Sequence, residues 1–225
     1  NGFGPDGQDR MASDGQLLDA YVHGTFDIAG RQTNARLGRQ VVSWGESTFI
    51  GNGINVINPV DVARLRVPGA ELKEGLLPLP MIWLSQEVSQ AVTVEAFYLG
   101  NFERTKIDSR GSFFSNNDFL SDDGDRAYFG FGRRNDQHFP LPPATSNPLA
   151  PAGNLDQVWV SRGPTRDPDD SGQYGVALRL YLPELNDTEF GIYYMRYHSR
   201  TPIFSGIAGT PASVFAPIGF TDTGR

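Results

Sequence analysis

Four carboxylates crowd one short run, Asp118, Asp122, Asp123 and Asp125 around Gly124 in DFLSDDGD. Hard oxygen donors at such spacing are what a calcium ion needs, but the EF-hand order fails at Leu120, and Phe129 stands where the closing glutamate belongs. A solvated acidic loop is the plainer reading, with calcium at these four aspartates the weaker one. SWGES (Ser43–Ser47) and FSGIAG (Phe204–Gly209) each present a serine among small residues. Neither has the G-x-S-x-G order or the strand-to-helix context of a nucleophile elbow. His23, His138 and His198 lie far apart, with no zinc-ligand spacing between any two. These patterns point to no enzyme, no cofactor and no firm metal site.

The densest charged cluster is different in kind. Asp61, Arg64, Arg66, Glu71, Lys73 and Glu74 alternate in sign among Val60, Val62, Leu65 and Val67. Asn58 followed by Pro59 has the form of an N-cap and first helical position, so Asp61–Arg66 reads as one helical turn stopped at Pro68–Gly69. One reading makes this a surface turn with solvated charges. The other folds residues 45–80 into a polar interior, where the charges would pair with Arg36, Glu95 or Arg179. On that second reading Arg36, Gln40, Trp44, Glu46, Asn55, Asn58, Asp61, Arg64, Arg66, Glu71, Lys73, Glu95 and Arg179 line or gate a lumen.

Strands must position these residues. Leu17–Ala29 alternates, with Ala20, Val22, Phe26 and Ile28 on one side and Asp19, Tyr21, His23, Thr25 and Asp27 on the other. After a turn at Gly30–Asn34 a second strand runs from Ala35 to Trp44. Met81–Val88 and Ala91–Phe102 form a second hairpin, Val92, Val94, Ala96 and Tyr98 opposing Thr93 and Glu95. A third pairs Gln173–Leu182 with Thr188–His198 across PELND. Residues 103–171 are polar and rich in Asp, Asn, Gly and Pro, a length that suits an external loop better than a connection inside a compact domain. The tail from Ser199 reads as a further loop.

Gly 26, Pro 16 and 12% aromatics in 225 residues favour many turns and an all-β fold. A formal charge of −7 argues against nucleic acid as a partner. With no cysteine there are neither disulfides nor thiolate metal sites. No apolar run is long enough for a membrane helix, which leaves β-barrels untouched. Strands of roughly 9–13 residues with aromatics near their ends suit a tilted transmembrane strand, yet aromatics are also ordinary β formers, and periodicity alone fits a soluble sandwich equally. A membrane barrel needs at least about eight strands, so on the barrel reading these six are part of a longer protein.

GRQVVSWGESTFIGNGINVINPVDVARLRVPGAELKEGLLP (Gly38–Pro78) closely resembles the signature stretch of a family of large proteobacterial (Pseudomonas-type) outer-membrane proteins known as a domain of unknown function. SRGPTRDPDDSGQYGVALRLYLPELNDTEFGIYYMRYHSRTPIFSG (Ser161–Gly206) resembles it too, in its R-G-P-x-R-D and D-S-G-Q-Y-G runs. The resemblance spans Gln16–Gly206 and implies an antiparallel transmembrane β-barrel in the bacterial outer membrane. Residues 1–225 would be part of one barrel domain, with residues 45–80 as an inward, plug-like insert and 103–171 as a long loop. Members are often encoded beside resistance-nodulation-division exporters and periplasmic lipoprotein-sorting-like proteins. The implied role is traffic of a hydrophobic or amphiphilic, lipid-like compound, with outer-membrane lipid, a periplasmic lipid carrier and such an exporter as partners. The alternative is a structural or adhesive surface protein whose long loop binds a partner. No catalytic residue carries over.

Overall fold

A computed structural model of the chain describes residues 7–8, 17–45, 53–117, 119–128, 159–206 and 219–222. Among these residues ten strands follow in chain order: β1 (Ala20–Ile28), β2 (Arg31–Gln40), β3 (Leu79–Glu87), β4 (Val92–Leu99), β5 (Arg126–Tyr128), β6 (Trp159–Arg162), β7 (Tyr174–Leu182), β8 (Thr188–Arg196), β9 (Phe204–Gly206) and β10 (Gly219–Asp222). Among the described residues after Leu17, helix is confined to single turns. The fold is all-β, as the alternation requires.

The chain divides into two compact units. One holds a six-stranded antiparallel sheet ordered β1-β2-β3-β4-β7-β8. Its first hairpin closes more tightly than the sequence suggests. Ala29 and Gly30 alone form the turn, at φ 56° and 71°, and the Gly30 amide donates to Asp27 Oδ1 at 2.8 Å. Two successive positive φ values give the primed turn whose twist matches a two-residue hairpin. The strand therefore starts at Arg31, not Ala35.

Partners directly opposite in an antiparallel pair share a face, so the register sorts every side chain. One row reads Val22, Leu37, Ile82, Tyr98, Tyr174; the next Gly24, Ala35, Leu84, Ala96, Val176, Tyr194; and Val94, Leu178 and Ile192 follow. This apolar face is exposed: Val22 is 77% exposed, Ile192 68% and Leu37 61%. On the opposite side Gln40 and Gln173 are wholly buried, and Asn58 and Asp61 nearly so. The same side also buries Leu79, Met81, Phe97, Leu99 and Ala177, so polar and apolar side chains are buried there together.

The ends of the sheet differ as well. The hairpin turns Ala29–Gly30, Val88–Ala91 and Pro183–Asp187 lie together at one end. From the other end leave the long connections, residues 41–78 and 100–173. The second unit draws on the 100–173 connection and on the chain after β8. Its four-stranded sheet is ordered β5-β6-β10-β9, with β10 parallel to β6 and antiparallel to β9. Short strands thus stand within stretches whose composition reads as loop.

Candidate functional site

The polar face of the six-stranded sheet carries the chemistry. At its long-connection end, residues 41–45 and 53–78 fold back onto it. Val42, Trp44 and Ile57 pack on Leu79, Met81, Phe97, Leu99 and Ala177. Trp44 is the pin, its ring centroid 5.0 Å from Phe97 and 5.7 Å from Tyr193. An aromatic side chain buries about 150–250 Å², which at about 25 cal/mol per Å² gives roughly 4–6 kcal/mol as an upper value. Gly175 makes room for it. A Cβ there would come within 2.6 Å of Phe97 and 2.9 Å of Trp44. Gly175→Ala is therefore expected to lower stability by about 1–3 kcal/mol through overpacking, read as an earlier denaturation midpoint with the Trp44 fluorescence shifted to the red.

Below the pin runs a band of charge. The Trp44 indole Nε1–H donates to Glu95 Oε2 at 2.9 Å. Glu95 Oε1 also lies 3.3 Å from Arg179 Nε, and Arg179 Nη1 reaches Glu189 Oε1 at 3.1 Å. Further across the face the Arg36 guanidinium stacks 3.9 Å above the Trp83 ring and 5.7 Å from the Tyr21 centroid. The expected inward residues Arg36, Trp44, Glu95 and Arg179 do share one face. Glu95 and Arg179 answer each other, while Arg36 is held by rings.

Buried polar side chains tie the insert down. Asn58 donates to the carbonyls of Gln40 (3.2 Å) and Leu77 (2.9 Å) and accepts from the Val42 amide at 3.0 Å. It is not the helix cap that Asn-Pro suggests: its side chain is used up in joining the start of the insert to its end. Gln40 donates to the Met81 carbonyl at 3.2 Å. Arg200 reaches the carbonyls of Ile57 at 3.1 Å, Glu103 at 3.3 Å and Val56 at 3.4 Å. Burial pulls its guanidinium down to about 10, against the opposing pull of the Glu103 carboxylate. Gln173 donates to the Asn101 and Asp170 carbonyls and accepts from the His198 amide.

The charged cluster of the insert is distributed differently. Asp61 is buried, accepts from the Ala63 amide at 3.1 Å and lies 3.7 Å from Arg64 Nε. The expected turn shrinks to a 3₁₀ turn at Arg64–Arg66. A second turn, Leu72–Gly75, carries a capping box between Glu71 and Glu74, which the spacing had not suggested. Arg66, Glu71 and Lys73 are exposed, Lys73 lying 3.4 Å from Asp19; Asn55 is half-buried. Glu46 lies outside the described residues, as does Asp118. Among the weak calcium candidates, Asp125 is met by Arg126 at 2.8 Å and by Arg110. Burial alone would raise its pKa, but those two arginines hold it below the usual carboxylate value. Asp123 accepts from the Gly7 amide. No cluster of metal-ligating residues occurs among the described residues.

Gln173 and Arg200 escaped the residue-level reading, although Gln173 sits inside the D-S-G-Q-Y-G run that carried the family resemblance. Both are polar residues just outside strands, where periodicity is silent. That run meets the Gly38–Pro78 stretch through Gly175, which lies against Trp44, and Arg200, further along the second block, holds the Val56 and Ile57 carbonyls. The family model described as "Protein of unknown function (DUF1302)" matches residues 1–223. The chain belongs to this family. No curated protein and no solved structure matches it. In this DUF1302 chain the most idiosyncratic sequence is thus the part that seats the insert on the polar face.

Proposed function

We propose that this DUF1302 chain is part of an outer-membrane β-barrel whose apolar face meets lipid and whose polar face lines the lumen. The observation that carries this is the exposure of the apolar face while glutamine, asparagine and aspartate are buried behind it. Strands of 8–10 residues suit a tilted crossing of the bilayer, which takes about 9–11. Short turns at one end and long connections at the other match the two rims of such barrels. The barrel closes through further strands pairing with the outer edges of β1 and β8. Irregular backbone at membrane depth is tolerated where it lines a water-filled cavity or is buried in protein, which suits the insert, the lumen's constriction.

The cargo is a hydrophobic or amphiphilic, lipid-like compound that passes the constriction. A periplasmic carrier and an inner-membrane exporter as partners rest on the family resemblance alone. Deleting Val60–Glu74 from the full-length protein is the test. In proteoliposomes the deletion is expected to raise the flux of a fluorescent fatty-acid analogue several-fold while the protein still inserts. Unchanged flux with normal insertion removes the gating role, and failure of the intact protein to insert removes the barrel.

A further inference from the structure

On the polar face of β1, β2 and β3 lies a cavity of about 300 Å³, lined by Tyr21, His23, Asn34, Arg36 and Trp83 among others. Its volume is at the lower end of the range for small-molecule sites. The lining is rich in donors and holds no carboxylate. Arg39, Arg64, Arg104, Arg110, Arg126 and Arg179 each lie within ion-pairing distance of an aspartate or glutamate. Arg36 lies within that distance of none among the described residues; its contacts are the Trp83 and Tyr21 rings. Trp83 Nε1 is buried without an acceptor among the described residues. Asn34 accepts from Thr25 and Gln32 through Oδ1, and its amide N–H donates to nothing among the described residues.

We infer that this cavity binds the head of a monocarboxylate whose apolar tail lies against the aromatic walls. The chemistry selects that class. A guanidinium stacked by its face on an indole keeps its N–H edge free, and that edge matches a carboxylate with two parallel hydrogen bonds. The Trp83 N–H and the Asn34 amide supply further donors. One arginine and no lysine is too little for a phosphate dianion, and a chain of net charge −7 repels polyanions. The tyrosine and tryptophan rings give the first carbons of the tail an apolar surface. This deepens the transport reading by naming the cargo's head group, and rests on it only in taking the polar face as the path.

The test uses the full-length protein in maltoside micelles, titrated by calorimetry with decanoate, decanol and decyl phosphate below their own micelle concentrations. Decanoate is expected to bind roughly tenfold or more tightly than either, the scale of a charge-assisted hydrogen-bond pair. Arg36→Met erases the preference for decanoate over decanol, and Arg36→Lys, which keeps the charge but not the fork, lowers it several-fold. Arg31→Met, on the opposite face of the same strand, leaves it unchanged. Equal binding of decanoate and decanol, tighter binding of decyl phosphate, or a preference that survives Arg36→Met in a folded sample overturns the inference. Insertion of the same samples into liposomes scores the barrel separately, so the two can fail independently.

Discussion

Leu84→Arg is expected to destabilise the protein in lipid by about 2–4 kcal/mol while barely changing the sheet in water. Leu84 sits mid-strand in β3, opposite Ala35 and Ala96, and is 44% exposed. A substitution at so open a position normally changes the stability of a soluble protein by no more than about 0.5 kcal/mol. At the midplane of a bilayer an arginine on the lipid face of a barrel costs about 2–4 kcal/mol. The control is Thr25→Arg in β1, on the polar face and exposed, where a lumenal arginine meets water and costs little. Urea titrations of the two variants in liposomes separate the cases. A midpoint lowered for Leu84→Arg alone supports the lipid-facing assignment. Equal effects, or a larger one for Thr25→Arg, would reverse which face meets lipid.

Asn58→Ala carries the second large effect. Its removal strands the Val42 amide and the Gln40 and Leu77 carbonyls in a buried region. Each unpaired buried group costs about 1–3 kcal/mol. Because the three relax together rather than adding, the expected loss is about 3–5 kcal/mol. The damage falls on the seating of the insert more than on the sheet, whose ladders do not use this side chain. Hydrogen exchange should therefore speed up in residues 53–78 while the amides of β3, β4 and β7 stay protected. In vesicles the same variant should leak, as the Val60–Glu74 deletion does. Uniform loss of protection over the whole sheet would mean that Asn58 supports the fold at large instead.

The lost helix cap at Asn58 shows why local spacing misleads here. Asn-Pro before an apolar-charged run is a sound N-cap signature. Yet a buried asparagine with two backbone carbonyls and an amide in reach satisfies more orphaned groups by bridging them than by capping a single short turn. The tertiary demand overrides the local preference. The same holds for the turn expected at residues 30–34: one glycine and an alanine that tolerates positive φ let the ladder continue almost to the tip.

The sequence by itself determined the all-β class, the hairpins and the sorting of their side chains. A period of two is a property of the backbone, so Val92, Val94, Ala96 and Tyr98 must oppose Thr93 and Glu95 wherever the strand lies. On the barrel reading it also named Arg36, Trp44, Glu95 and Arg179 among the inward candidates. Only the tertiary structure decided which face is covered and who meets whom on it. Glu95 receives the Trp44 indole from a residue 51 positions away, and Arg200 reaches the Ile57 carbonyl across 143. Such partners depend on strand order and on the path of the insert, and alternation along one strand carries no trace of either. Nor does it distinguish Arg179, answered by two glutamates, from Arg36, which among the described residues meets only rings.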